Sequence, residues 1–211
     1  MMYDGFGIRV EEIAIQPEWI PPNCEWDLTK PLPYKSSSFD IIHIRSLQNR
    51  ITSYTALITQ VFDLLKPGGL LMIFEDFTLL PQPQSATAQT DVIPDKKVKA
   101  FFDAYKRSFK YNGMKQNSLE DVINTFRDFR GCEVKGDLIK VPIGHGSGKT
   151  TQLSKIHLIN LKAWIESTRY MIVHSGGYTD DEFDLLSEAL IEQIEKEELY
   201  TFYHSFSIRK A

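Results

Sequence analysis

Apolar residues recur at positions 54, 57, 58, 61, 62 and 65, the spacing of a helix that buries one face. Before it, Phe39-Asp40-Ile41-Ile42-His43-Ile44-Arg45 predicts a strand. After it, Leu70-Leu71-Met72-Ile73-Phe74 predicts another. Lys66-Pro67-Gly68-Gly69 ends the helix between them, because proline lacks the N–H that a helix needs and glycine readily turns the chain. Strand, one short helix and strand imply parallel neighbours joined by a right-handed crossover. Residues 7–15 predict a further short strand, closed by Pro17 and by Pro21-Pro22.

Beyond residue 78 the pattern changes. Residues 79–95, rich in Pro, Gln, Ser, Thr and Ala, predict a loop over the strand ends. Val98, Phe101, Phe102, Tyr105 and Phe109 form one apolar helix face; Leu119, Val122, Ile123 and Phe126 form another, with Ser118 as its N-cap. Cys132–Ile143 predicts a strand, and about Leu153 to Val173 one long helix, closed by His174-Ser175-Gly176-Gly177. Thr179 and Glu182 form a capping box for a last helix through about Glu197. Tyr200–Arg209 predicts a final strand, suited to an antiparallel edge position. The expected fold class is α/β, one domain over 1–211, with 79–130 and 150–175 as cap segments.

Composition narrows the function. With 211 residues, 42% hydrophobic and 12% aromatic, the chain can bury a full core. A net charge of −4 with no Lys/Arg cluster argues against a nucleic-acid partner. Cys24 and Cys132 are far apart and form no CxxC, which fits a reducing compartment and excludes a disulfide scaffold or cysteine zinc site. No run of 18 apolar residues predicts a membrane span, so the expectation is a soluble, cytoplasmic protein. His145, His157, His174 and His204 share no ligand spacing with carboxylates or cysteines, so no metal site is expected.

His43 and Arg45 sit near the carboxyl end of a predicted parallel strand, where ligands bind in open α/β sheets. They are the candidate catalytic residues, His43 as general base or carbonyl orienter; the alternative is a strand-end His bonded to backbone. Glu75 and Asp76 end the next strand on the same rim, for acid/base work or loop anchoring. Phe101 and Tyr105, with Glu75, are candidate substrate-binding residues for a flat apolar ligand; core packing is the other reading of the two aromatics. Gly144-His145-Gly146-Ser147-Gly148-Lys149-Thr150-Thr151 mimics a phosphate-binding loop but has one residue too few between Gly144 and Gly148-Lys149. A surface loop is the expected reading.

Three blocks in order carry a resemblance. Ile15-Gln16-Pro17-Glu18-Trp19-Ile20-Pro21-Pro22-Asn23, then Phe39-Asp40-Ile41-Ile42-His43-Ile44-Arg45-Ser46-Leu47, then Leu65-Lys66-Pro67-Gly68-Gly69 resemble the fungal LaeA-like group of class I methyltransferases, which use S-adenosylmethionine (SAM). Val141-Pro142-Ile143-Gly144 and Gly176-Gly177-Tyr178-Thr179-Asp180-Asp181-Glu182 are also similar, more loosely. The resemblance implies an incomplete Rossmann-like class I methyltransferase fold: a mostly parallel sheet, an antiparallel last strand and a helical cap. It implies that Glu11, with Glu12 beside it, stands where an acidic residue holds the cofactor's ribose hydroxyls. Thr29-Lys30 replaces the acidic pair near the adenine, and the glycine loop of the first strand finds no room before residue 7. Each lost charge-assisted hydrogen bond costs roughly 1.5–3 kcal/mol, so SAM binding by these residues is expected to be millimolar or weaker.

What the resemblance implies for function is a methyltransferase-like protein of fungal secondary-metabolite biosynthesis. It would bind an aromatic or apolar intermediate and steer its conversion, as in terrequinone-type bis-indolylquinone pathways. One alternative is an active small-molecule O- or N-methyltransferase with a site completed by dimerisation; another is a non-catalytic regulatory partner. An uncovered sheet edge would call for a homodimer or a partner protein.

Overall fold

A computed structural model of the chain describes residues 31–47, 51, 53–77, 81–83, 96–112, 117–146 and 148–211. The predicted strand over 7–15, with Glu11, Glu12 and Thr29-Lys30, lies outside the described residues. The elements are β1 (Phe39–Arg45), α1 (Tyr54–Leu64), β2 (Leu65–Asp76), β3 (Gln82–Pro83), α2 (Lys96–Tyr111), α3 (Leu119–Arg127), β4 (Glu133–Ile143), α4 (Thr151–Ser167), α5 (Arg169–Gly176), α6 (Asp180–Lys196) and β5 (Leu199–Arg209). The strands form one mixed sheet in the order β1-β2-β5-β3, with β4 also pairing β5. The chain divides into two compact units: residues up to Glu75 with Asn117–Asp137 and Ser205–Ala211, and Asp76–Gln116 with Leu138–His204.

The first unit is built on the predicted strand-helix-strand. β1 and β2 run parallel, with Ile41 opposite Leu70, His43 opposite Met72 and Arg45 opposite Phe74. Strand alternation then gives the pair two unlike faces. Ile44, Leu71, Ile73 and Glu75 are buried, as are Tyr54, Leu57, Ile58 and Val61 of α1. Ser53 caps α1 by accepting from the Ala56 N–H. At the other end of the helix, Gly68 has φ of 77°, which favours glycine, and a Cβ on Gly69 would lie 2.8 Å from the Lys66 carbonyl. Phe62 stacks on Phe129, 3.9 Å between centroids, and Phe126 packs edge-on against Phe206.

Lys210 closes the carboxyl end of α1. Its Nζ donates to the carbonyls of Phe62 (3.0 Å), Asp63 (3.2 Å) and Leu65 (2.7 Å). Helix-end carbonyls lack intrahelical donors and carry the negative pole of the helix dipole, so an ammonium there satisfies both. Lys210→Ala is expected to lower stability by about 1–2 kcal/mol in urea denaturation. A loss below about 0.3 kcal/mol would mean that water replaces the ammonium at no cost.

The second unit is mainly helical. α2, α4, α5 and α6 enclose Val98, Phe101, Phe102, Tyr105, Phe109, Ile165, Ile172, Phe183, Leu190 and Ile194, all buried. The aromatic face predicted for residues 98–109 is thus the buried face of α2. Trp164 lies among its rings, 5.2 Å from Tyr105 and 6.2 Å from Phe101 between centroids. Both predicted caps form: Ser118 makes a full capping box with Asp121 in the first unit, and Thr179 one with Glu182 in the second. Arg169 lies over the Phe183 ring and pairs with Glu166, Asp180 and Asp184, tying α5 to α6.

Two expectations are corrected. The helix expected to run unbroken from Leu153 to Val173 is two helices, α4 and α5, meeting at Thr168. The Thr168 hydroxyl is buried and donates to the Ile165 carbonyl at 2.6 Å, diverting an acceptor of the helical ladder. The last strand is no edge. β5 has β2 and β3 as neighbours, runs antiparallel to β3, and also pairs β4, which is the exposed strand.

Candidate functional site

The candidate site in the first unit is the carboxyl end of the parallel β1/β2 pair. His43 and Arg45 point to the face opposite α1, and both are exposed. Their neighbours on that face are apolar: Ile41 is 44% exposed, Met72 is 41% exposed, and Phe74 stands opposite Arg45. The arrangement joins two nitrogen-bearing side chains to an apolar floor, which suits a flat ligand with an anionic or carbonyl oxygen.

The chain leaves β1 through a strained turn. Ser46 has φ of 55°, a left-handed conformation uncommon outside glycine, and its N–H donates to the Phe74 carbonyl at 3.2 Å. The next residue is held by Glu75, whose Oε1 accepts from the Leu47 N–H at 2.8 Å and from the Tyr54 hydroxyl at 3.0 Å. Glu75 and Tyr54 are both fully buried. Burial, followed by the charge and hydrogen bond of Glu75, pushes the Tyr54 phenol far above its ordinary range, so it stays a protonated donor. Glu75 therefore faces α1 and anchors the segment after β1, on the side away from His43. No periodicity in the sequence signals the Glu75–Tyr54 link, since its partners are 21 residues apart.

In the second unit, Phe101 is fully buried and Tyr105 nearly so, within the ring cluster of α2, Trp164 and Phe183. An open depression in the same unit is lined by Pro81, Pro83, Val98, Leu190 and Leu199, together with Gln193 and Glu197. His204, for which no motif in the sequence signals a role, is buried and meets Phe77 edge-on at 5.6 Å. Burial lowers the pKa of both His204 and His157; His157 hydrogen-bonds the Thr201 hydroxyl at 2.8 Å.

The glycine-rich segment before α4 folds back on itself. Gly144 N–H donates to the Ser154 carbonyl, and the Thr151 hydroxyl donates to the Gly146 carbonyl at 3.1 Å. A Cβ at Gly146 would lie 2.5 Å from Ser154 Oγ and 2.7 Å from the Thr150 carbonyl. Close packing against the first turn of α4 accounts for this glycine. Among the described residues no group of three or more His, Cys, Asp or Glu could hold a metal ion. No described helix is long and apolar enough to cross a membrane.

No family model matches the chain. Over 73 residues it is 32% identical to methyltransferase str2 of the fungus Strobilurus tenacellus, an alignment covering 33% of this chain and 26% of that protein. The chain thus spans about a quarter of that relative's length. Among solved structures it is similar to an Anabaena variabilis protein assigned as a methyltransferase of an antibiotic biosynthesis pathway. The TM-score is 0.51 and the identity 11%, over 91% of this chain and 75% of that one. A Galdieria sulphuraria protein assigned as a sarcosine dimethylglycine methyltransferase aligns with a TM-score of 0.45 and 14% identity, over 88% of this chain and 58% of that one. The fold is the Rossmann-like α/β fold of methyltransferases.

This fold implies SAM as cofactor. Glu11 and Glu12, which the resemblance assigns to the ribose, lie outside the described residues, and the described Gly144-His145-Gly146 turn packs against the first turn of α4.

Proposed function

We propose that this protein is a methyltransferase-like protein of fungal secondary-metabolite biosynthesis that binds an aromatic or apolar small molecule and steers its conversion, holding SAM weakly. The observation that carries this reading is the exposed His43–Arg45 face on an apolar floor of Ile41, Met72 and Phe74, in a methyltransferase fold. Arg45 would pair a carboxylate or phenolate of the ligand, and His43 would orient a carbonyl or take up a proton. The apolar floor would exclude water from one side of the ligand and fix its orientation, which is where steering without a cofactor gains its effect. Weak SAM binding is supported by Thr29-Lys30 at the place of the adenine-side acidic pair. A place in secondary metabolism is supported by the LaeA-like sequence blocks and by the pathway to which the Anabaena protein is assigned.

A second reading is an active SAM-dependent O- or N-methyltransferase, favoured by the 32% identity to methyltransferase str2. Calorimetric titration of the 211-residue chain with SAM and S-adenosylhomocysteine separates the two. The expected result is no saturable heat up to about millimolar ligand. Saturation in the micromolar range would overturn the weak-cofactor reading and make methyl transfer the working function.

A further inference from the structure

We infer that β4 is a self-complementary edge at which two copies of this chain pair antiparallel about a two-fold axis. Among the described residues, β4 hydrogen-bonds only to β5. Residues 133–140, Glu-Val-Lys-Gly-Asp-Leu-Ile-Lys, are exposed on both faces of the strand. Val134, Leu138 and Ile139 are 42%, 39% and 41% exposed, so the unpaired edge also carries apolar side chains. A long open edge with apolar residues is a template for a further strand, and the charge pattern says which strand fits.

Two copies related by an axis normal to the sheet must set each residue opposite one that points to the same face. The pairing therefore centres on a residue. Centred on Lys135, it places Lys135 against its own copy and Glu133 against Asp137. Centred on Asp137, it places two aspartates together. Centred on Gly136, it sets Lys135 opposite the second copy's Asp137, twice by symmetry, and on the other face Val134 opposite its Leu138, also twice. Opposite charges and apolar pairs directly across an antiparallel ladder stabilise it, and like charges oppose it.

The isolated chain leaves half of this pattern unmet. Lys135 pairs with Glu133 at 2.9 Å, while Asp137, exposed on the same face, has no ion pair among the described residues. Gly136 is held by packing within the subunit, since a Cβ there would lie 2.9 Å from the Phe206 ring.

Sedimentation velocity of the 211-residue protein over a range of concentrations tests the pairing. A reversible dimer is expected, weakened by salt. Lys135→Asp and Asp137→Lys each turn two attractive pairs into two repulsive ones and are expected to raise the dimer dissociation constant roughly ten- to a hundredfold. The double variant K135D/D137K restores opposite charges and is expected to return it close to the original. Amide exchange along 134–138 is expected to slow as wild-type concentration rises, a readout that needs no variant. Charged edge residues also serve to block pairing. A chain that stays monomeric at the highest concentration reached, or a dimer indifferent to both single reversals, would overturn the proposal.

Discussion

Phe101→Ala is expected to cost about 3–5 kcal/mol of stability. The ring is fully buried, with centroids 5.4 Å from Phe102, 6.0 Å from Phe183 and 6.2 Å from Trp164. Truncation removes its transfer free energy and leaves a cavity among side chains from three helices that cannot all collapse into it. Urea denaturation followed by circular dichroism reads the loss. Tyr111→Ala is the control, because Tyr111 is 75% exposed on the same helix and should change stability by less than about 0.5 kcal/mol. The comparison also separates two roles. A Phe101→Ala chain that kept its stability yet lost affinity for an aromatic ligand would place Phe101 on a ligand wall and not in a packed core.

Glu75→Ala is expected to cost about 2–4 kcal/mol. It removes the carboxylate oxygen that accepts from both the Leu47 N–H and the Tyr54 hydroxyl, in a region where Tyr54 is fully buried. Unmet buried donors lose their protein partner without regaining water. Glu75→Gln keeps a carbonyl acceptor and should cost less, about 1 kcal/mol. Amide exchange distinguishes a local clamp from a general core residue: the Leu47 amide should lose protection in Glu75→Ala well before the amides of β2 do. Equal loss across the first unit would refute the clamp. Since Ser46 and Leu47 follow directly on Arg45, a loosened clamp is also expected to weaken any ligand held by the β1 rim.

Much of the local structure was legible because its causes are local. The spacing of Tyr54, Leu57, Ile58 and Val61 predicted α1, and each of those residues is buried. The aromatic stripe from Val98 to Phe109 predicted α2 and its buried face. Ser118 and Thr179 marked helix starts because a cap bonds an amide three residues on, within reach of pattern reading. The break at Thr168 was not legible, since a threonine inside an apolar repeat reads the same whether its hydroxyl faces solvent or turns back on a carbonyl. The placement of β5 between other strands was misread for a different reason: chain order says little about sheet order when a strand returns after four helices.

The candidate site divides the same way. His43 and Arg45 were singled out as candidates from position alone, near the carboxyl end of a strand that is indeed parallel to its neighbour. Glu75 was found too, but alternation places its carboxylate on the buried α1 face, where it holds Leu47 and Tyr54. By itself the sequence determined most of the longer described helices and strands, where several of them begin and end, and that the chain carries an α/β core with an aromatic helix face. Those features follow from interactions within a few residues. Only the tertiary structure decided that Glu75 serves as an anchor, that Lys210 closes a helix almost 150 residues earlier in the chain, and that among the described residues β4, and not β5, presents an open edge. Each depends on groups far apart in the chain, and periodicity carries no record of which distant partner a buried polar group or an unpaired strand will meet.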